Sequence, residues 1–184
     1  MMQKVRRYLT ALCILLAICL SPAIGFAQEI TVGGFPVKVS GFEHSLVGNG
    51  QIHMNTCQAE HCVPGSKVSY RIYAPTDKPD FEQFKTAHKM VLSRLQTMTP
   101  EGTVVTASKP ERTDDELFTT FEITREMTSP DGSKLITNSK TSYGKNFTAE
   151  VISSSEDEKA AKANGALFML PLMLMNARED ASPE

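Results

Sequence analysis

Six side chains able to bind a metal or to react lie within nineteen residues: His44, His53, Met54, Cys57, His61 and Cys62. Two chemistries compete for the thiols. In an oxidising compartment Cys57 and Cys62 are expected to form a disulfide. The four intervening residues close a small loop, and Pro64-Gly65 just beyond favours a turn. A bridge requires Cα atoms within about 7 Å and converging side chains. So short a loop should stabilise the fold by at most ~2–3 kcal/mol. His53 and His61 would then be ordinary surface side chains, titrating near the usual value of about 6.5. The alternative is a metal site built from His53, Cys57, His61 and Cys62. Thiolate, imidazole and thioether suit copper(I), and thiolate with imidazole suits zinc. The spacing matches no standard finger or ribbon, and oxidation would remove both thiolates, so the two readings exclude each other. Haem attachment fails because no Cys-x-x-Cys-His occurs. A Cys–His nucleophile would need a third, orienting group, and no local signature supplies one. No cofactor is expected, and no catalytic residue.

The redox setting follows from the N-terminus. Lys4, Arg6 and Arg7 form a basic region, Leu9 to Leu20 an apolar run, and Gly25-Phe26-Ala27 a small-residue cleavage site. Residues 1–27 thus read as a signal peptide, with the mature chain starting at Gln28 in the periplasm or outside the cell. An uncleaved anchor is disfavoured by the shortness of the run. A lipoprotein reading would use Cys19, but Ile18 stands where a small residue is usual. Of the four cysteines, Cys13 and Cys19 would leave with the peptide.

The chain has 184 residues and a net charge of −2. Removing Lys4, Arg6 and Arg7 from the 19 basic residues leaves 16 against 21 acidic ones, a net of −5. No basic stripe exists for a nucleic-acid backbone, and the charge opposes polybasic attachment to anionic lipid.

The elements that must hold these residues are legible in part. Residues 28–66 read as N-terminal strands plus the cysteine loop, 67–176 as an α+β core and 177–184 as a polar tail. Ile30, Val32, Val37 and Val39 suggest a strand pair, and Phe42 and Leu46 anchors toward the core. Val68, Tyr70 and Ile72 alternate with polar neighbours as a strand. Phe81, Phe84, His88, Val91, Leu92, Leu95 and Met98 recur at three and four residues, predicting an amphipathic helix over 79–98 with Asp77 as its cap. His88 sits at the edge of that stripe, as a structural side chain. Val104-Val105 mark a further strand, and 109–116 reads as a solvated link. Leu117, Thr119, Phe121, Ile123 and Met127 share one face of a strand. Ser129-Pro130-Asp131-Gly132 turns the chain, and strands through Leu135–Tyr143 and Phe147–Ile152 complete an antiparallel meander with one wet face. Ser155 and Glu158 fit a capping box for a helix over 156–176. That helix becomes uniformly apolar, as a buried element or a partner-binding surface, with a kink expected at Pro171. The sum is an antiparallel β-sheet of about five or six strands with two helices packed on it.

The order strand, amphipathic helix, several strands, then YGKNFTAEVISSSEDE and a closing helix resembles the PsbP-like α/β sandwich family over Lys67 to Met175. The resemblance implies an accessory or assembly role without catalysis, and leaves the cysteine loop unexplained. The expectation is therefore a periplasmic protein-interaction module whose partner is another periplasmic or envelope protein, with no nucleic acid bound and no transmembrane span in the mature chain. A copper- or zinc-binding protein is the alternative.

Overall fold

The computed structural model describes residues 37–178. The expected signal peptide and mature N-terminus, with Ile30, Val32 and residues 179–184, lie outside the described residues. Eight strands form one antiparallel sheet. They are β1 (Phe42–Val47), β2 (Ile52–Cys57), β3 (Lys67–Tyr73), β4 (Val104–Ala107), β5 (Glu111–Asp114), β6 (Thr119–Thr128), β7 (Lys134–Tyr143) and β8 (Thr148–Ser155). The helices among the described residues are α1 (Phe81–Met98) and α2 (Glu158–Asn176). The spatial order is β1-β2-β3-β8-β7-β6-β4, and β5 also pairs with β6.

The class is as expected, but five or six strands is an undercount. β1 and β2 flank a Gly48-Asn49-Gly50 turn in which all three residues have positive φ. Their helix-facing positions mix Phe42 and Leu46 with His44, His53 and Asn55, so the apolar alternation that advertises a strand is interrupted. Val37 and Val39 are not in a strand, although Val37 is buried in the core. The segment 109–116 is not merely a solvated link, since β5 pairs Glu111 with Glu122 while β4 pairs Ala107 with Arg125. The two registers differ by one residue, so β4 and β5 are one edge strand broken by a bulge at 108–110. There the Thr124 amide donates to Ser108 Oγ at 3.1 Å and the Ser108 amide to Thr124 O at 2.8 Å. Leu117, expected on the buried face, precedes β6 and is exposed. It sits in a turn whose Leu117 and Phe118 amides both donate to Asp115 Oδ1 at 2.8 Å.

The meander has no wet face, because the helices cover opposite faces. Met127 pairs with Leu135, and both pack with Leu95 of α1. Lys140, an odd number of residues along β7 from Leu135, pairs with Val151, which packs with Phe168 and Leu172 of α2. Pleating sends those two positions to opposite sides. The face that reads as wet lies under α2. Asn138, Ser142, Ser153 and Ser155 are buried on that face, Asn138 and Ser153 against Gly165 of the helix. A Cβ added at Gly165 would stand 3.0 Å from Asn138 Oδ1. Ser153 Oγ donates to the Ala161 carbonyl, and Asn138 Nδ2 to Glu122 Oε1 at 2.7 Å.

Each helix is fixed at its ends. Asp80, not Asp77, precedes α1, and its amide donates to Gln83 Oε1 at 3.2 Å. Asp157, not Ser155, caps α2: its Oδ1 accepts from the Ala160 amide at 2.8 Å. Ser155 ends β8 and accepts from the Asp157 amide at 3.2 Å. At the far end, buried Asn176 clasps the β7–β8 turn. Its Oδ1 accepts from the Asn146 amide at 2.9 Å, and its Nδ2 donates to Phe147 O at 2.6 Å.

The largest cluster joins Val68, Tyr70, Ala149 and Val151 of the central strands to Phe168, Met169 and Leu172 of α2. Phe168 is fully buried, with the Phe42 ring edge-on at 5.1 Å. Phe168→Ala should cost about 3–5 kcal/mol, whereas Leu170→Ala, on the solvent side of the same helix, should stay within about 0.5 kcal/mol. Paired guanidinium titrations of the two variants measure the contrast; similar losses would contradict this assignment of faces.

Candidate functional site

The six residues that opened the sequence reading do not converge on one centre. Cys57 ends β2, and Cys62 closes a turn in which its amide donates to Ala59 O at 2.9 Å. Their Cα atoms are 6.0 Å apart and the sulfurs lie within bonding distance. His61 is exposed on that turn. His53 is not the surface side chain expected: it is 8% exposed and stacks on Tyr70, with ring centroids 4.4 Å apart and planes 5° from parallel. Its Nδ1 lies 3.0 Å from His44 Nε2. Burial, and secondarily His44, push the His53 pKa below its ordinary value. Tyr70 is held in turn, since its hydroxyl accepts from the Val37 amide at 2.8 Å. Burial raises its pKa to about 12, the Val37 bond opposing that rise. Among the described residues, no three of His, Cys, Asp or Glu gather as a metal-binding group.

A second polar cluster lies on the opposite face, beside α1, and it turns on Arg125. Strict alternation places Arg125 with Phe121, Ile123 and Met127, a signal available in the sequence but masked by the apolar residues around it. Arg125 is 3% exposed. Its guanidinium donates to Ser139 Oγ at 3.1 Å and to His88 Nδ1 at 2.6 Å. A guanidinium only donates, so Nδ1 must be the accepting nitrogen and the ring proton sits on Nε2. Burial, and then the Arg125 charge, push the His88 pKa down to about 3. Burial lowers Arg125 to about 10. Nearby Glu150 is pushed up by burial, opposed by the Tyr73 hydroxyl, which donates to its Oε2 at 3.1 Å, and by the charges of Arg71 and Arg125. Tyr143 is raised to about 12 by burial and by Glu150.

This network is poor catalytic machinery. A general base works best with a pKa near ambient pH, and His88 is driven far from that range. Among the described residues no histidine hydrogen-bonds to a carboxylate, a serine or a cysteine; His88 meets a guanidinium and His53 another imidazole.

The third feature is the outer face of α2. Phe168, Met169 and Leu172 point into the core, while Leu167, Leu170 and Leu174 are 48%, 60% and 59% exposed. Ala163, Ala166 and Ala177 extend the same face. Spacings of three and four put all six on one side of the helix. No charged residue interrupts them. No helix among the described residues is long and apolar enough to cross a membrane.

No family model matches the sequence, and no curated protein matches it. Among solved structures the chain is similar to cyanobacterial PsbP (CyanoP) from Synechocystis sp. PCC 6803, with 7% identity and a TM-score of 0.41, over 78% of this chain and 94% of that one. It is also similar to the Saccharomyces cerevisiae Ran-binding protein Mog1p, with 10% identity and a TM-score of 0.41, over 74% of this chain and 82% of that one. Neither likeness carries a functional assignment to this chain.

The Arg125 network has a pH signature. His88 is lowered from 6.5 to about 3, so below pH 6.5 the unfolded chain binds a proton that the folded chain does not. Stability is therefore full above pH 6.5 and is lost as pH falls toward 3, by about 1.4 kcal/mol per pH unit for one proton. Urea titrations of His88→Gln between pH 6.5 and 4 should show a slope shallower by one proton than the parent's; equal slopes would rule the neutral buried imidazole out.

Proposed function

We propose that this chain is an exported accessory module that binds another protein of the periplasm or envelope and performs no catalysis of its own. The stripe Leu167-Leu170-Leu174 carries the reading. Three leucines, 48% to 60% exposed on one charge-free helix face, are costly to leave in water. Covering each is worth roughly 1–2 kcal/mol by area. From Leu167 to Leu174 the stripe runs about 10 Å along the helix. That fits the mode in which an apolar helix face lies in a partner's groove, read through anchors at three- and four-residue spacing. A membrane surface is a poorer fit, because a helix lying in lipid carries Lys and Arg beside its apolar face, and here Lys159 and Lys162 stand only at the N-terminal end. Export is supported by the N-terminal pattern of the sequence and by the approach of Cys57 to Cys62, a pairing that persists in oxidising compartments.

The partner surface is tested with a photo-crosslinking residue at position 170 and, as control, at the equally exposed Met90 of α1. A discrete protein adduct from position 170 only, abolished by Leu167→Glu with Leu174→Glu while thermal stability is kept, is the expected result. Adducts to lipid, or none, would defeat the reading.

The compartment is tested separately. Thiol labelling of the native protein should find no free thiol without reductant and two with it, and mass spectrometry should find Gln28 at the N-terminus. Two reactive thiols, or an intact residue 1, would remove export from the proposal.

A further inference from the structure

The contact between His44 and His53 is built in a way that a simple surface pair is not. His44 lies on edge strand β1 and His53 on β2. The register pairs Leu46 with His53 and His44 with Asn55, so the two imidazoles are diagonal neighbours on one face. Their Nε2 and Nδ1 atoms face each other at 3.0 Å, with ring centroids 5.2 Å apart and planes inclined by 34°. His53 is fixed by its stack on Tyr70, and Tyr70 by the Val37 amide. His44 is exposed and can rock on its stem.

Two imidazole nitrogens bound to one tetrahedral ion at about 2.0–2.1 Å stand about 3.3 Å apart. The same construction leaves the ring centroids about 5.2 Å apart, the separation already present. The two rings now point almost straight at each other, so chelation requires their lone pairs to turn toward an ion about 1.2 Å off the line between the nitrogens, a rotation of a few tens of degrees that the exposed His44 side chain must supply while the nitrogen gap widens by about 0.3 Å. We propose that His44 Nε2 and His53 Nδ1 form a two-imidazole site for a divalent transition ion, bound most tightly as copper(II) and less so as zinc(II). Neutral imidazoles select copper, zinc and nickel over calcium and magnesium, and copper(II) heads the affinity order. Binding releases no proton. The single proton between two neutral rings moves to the far nitrogen of its own ring, leaving both facing lone pairs for the metal. No third His, Cys, Asp or Glu joins the pair among the described residues. The remaining positions are therefore open to water or to a donor from a partner. The site is distinct from the Cys57 and Cys62 thiols and is compatible with their being bridged.

The test uses the untagged chain beginning at Gln28, titrated with copper(II) and followed by electron paramagnetic resonance. One ion per chain with two imidazole nitrogens in its coupling pattern is expected. His44→Ala should weaken that binding at least tenfold and leave one imidazole or none, whereas His61→Ala should leave affinity and spectrum unchanged. His44 is exposed on an edge strand, and an unchanged circular dichroism spectrum certifies the variant as folded. Competition by zinc(II), with calcium(II) inert, is the companion result. A single-nitrogen signal in the parent chain, affinity unaltered by His44→Ala, or loss on His61→Ala would each overturn the site.

Discussion

The structure depends on the seam where β8 is laid between β3 and β7 and α2 closes over it. Val68, Val151, Phe168 and Leu172 are fully buried there, on β3 and on the consecutive pair β8 and α2, far from it in sequence. β3 pairs with β8 from Lys67↔Ser154 to Tyr73↔Thr148, so a long excursion of chain must be closed before any of that area is removed from water. Closing so long a loop costs entropy that grows only slowly with its length. The excursion also brings order of its own, in α1 and the β6–β7 hairpin, with its turn bonds from Ser133 to Asp131 Oδ1 and from Gly132 to Ser129 O at 2.9 Å. Asn176 then locks the end of α2 to the β7–β8 turn, and the seam cannot open there without leaving buried amides unpaired.

The same seam sorts the chemistry of the molecule. On the α2 face the sheet buries small polar side chains and a half-buried pair, Lys140 and Glu122. Burial would raise the Glu122 carboxyl, but its bonds from Lys140 and Asn138 outweigh this and hold it below the usual range. Across the sheet, Arg125 has no carboxylate in contact and relies on His88 and Ser139. His88 and Ser139 take bonds from its two terminal nitrogens and Glu150 lies within electrostatic reach, while its buried Nε has no hydrogen-bond partner among the described residues. Both networks orient elements instead of presenting a reactive group to a cleft. Among the features turned to solvent are the apolar outer face of α2 and the imidazole of His44 on β1.

Where apolar periodicity coincided with structure, the sequence was readable. α1 was visible in Phe84, Val91 and Leu95, and the meander in the Pro130–Gly132 turn. The failures share one physical cause: strands built from polar residues, some buried and some at an exposed edge, whose alternation carries no apolar signal. β1 and β2 turn His44, His53 and Asn55 toward the helix side, and β5 is charged at three of its four residues yet completes an edge. The cap of α2 was misplaced by two residues because Ser155 and Asp157 both have side chains able to hold an amide, and β8 runs on through Ser155. At the candidate sites, the burial of Arg125 was readable from its place in the alternation of β6, whereas that of His53 follows from its register against Tyr70, which no local pattern reports. The cysteine pair was legible because its separation alone allows the approach.

The two borders of the sheet differ in a way that bears on how molecules of this chain meet at high concentration. One border is the bulged β4–β5 strand, with Pro110 at the bulge and Lys109, Glu111, Arg112 and Asp114 along it. Irregular, kinked and charged, it offers no straight template to a foreign strand. The other border is β1, a regular run of six residues joined to the sheet through β2 alone. Its outward amides and carbonyls are in register for another chain, and Glu43 is its only carboxylate. Among the described residues β1 is thus the regular border of the sheet, and the Glu43 charge is the feature of that strand that opposes edge-to-edge pairing.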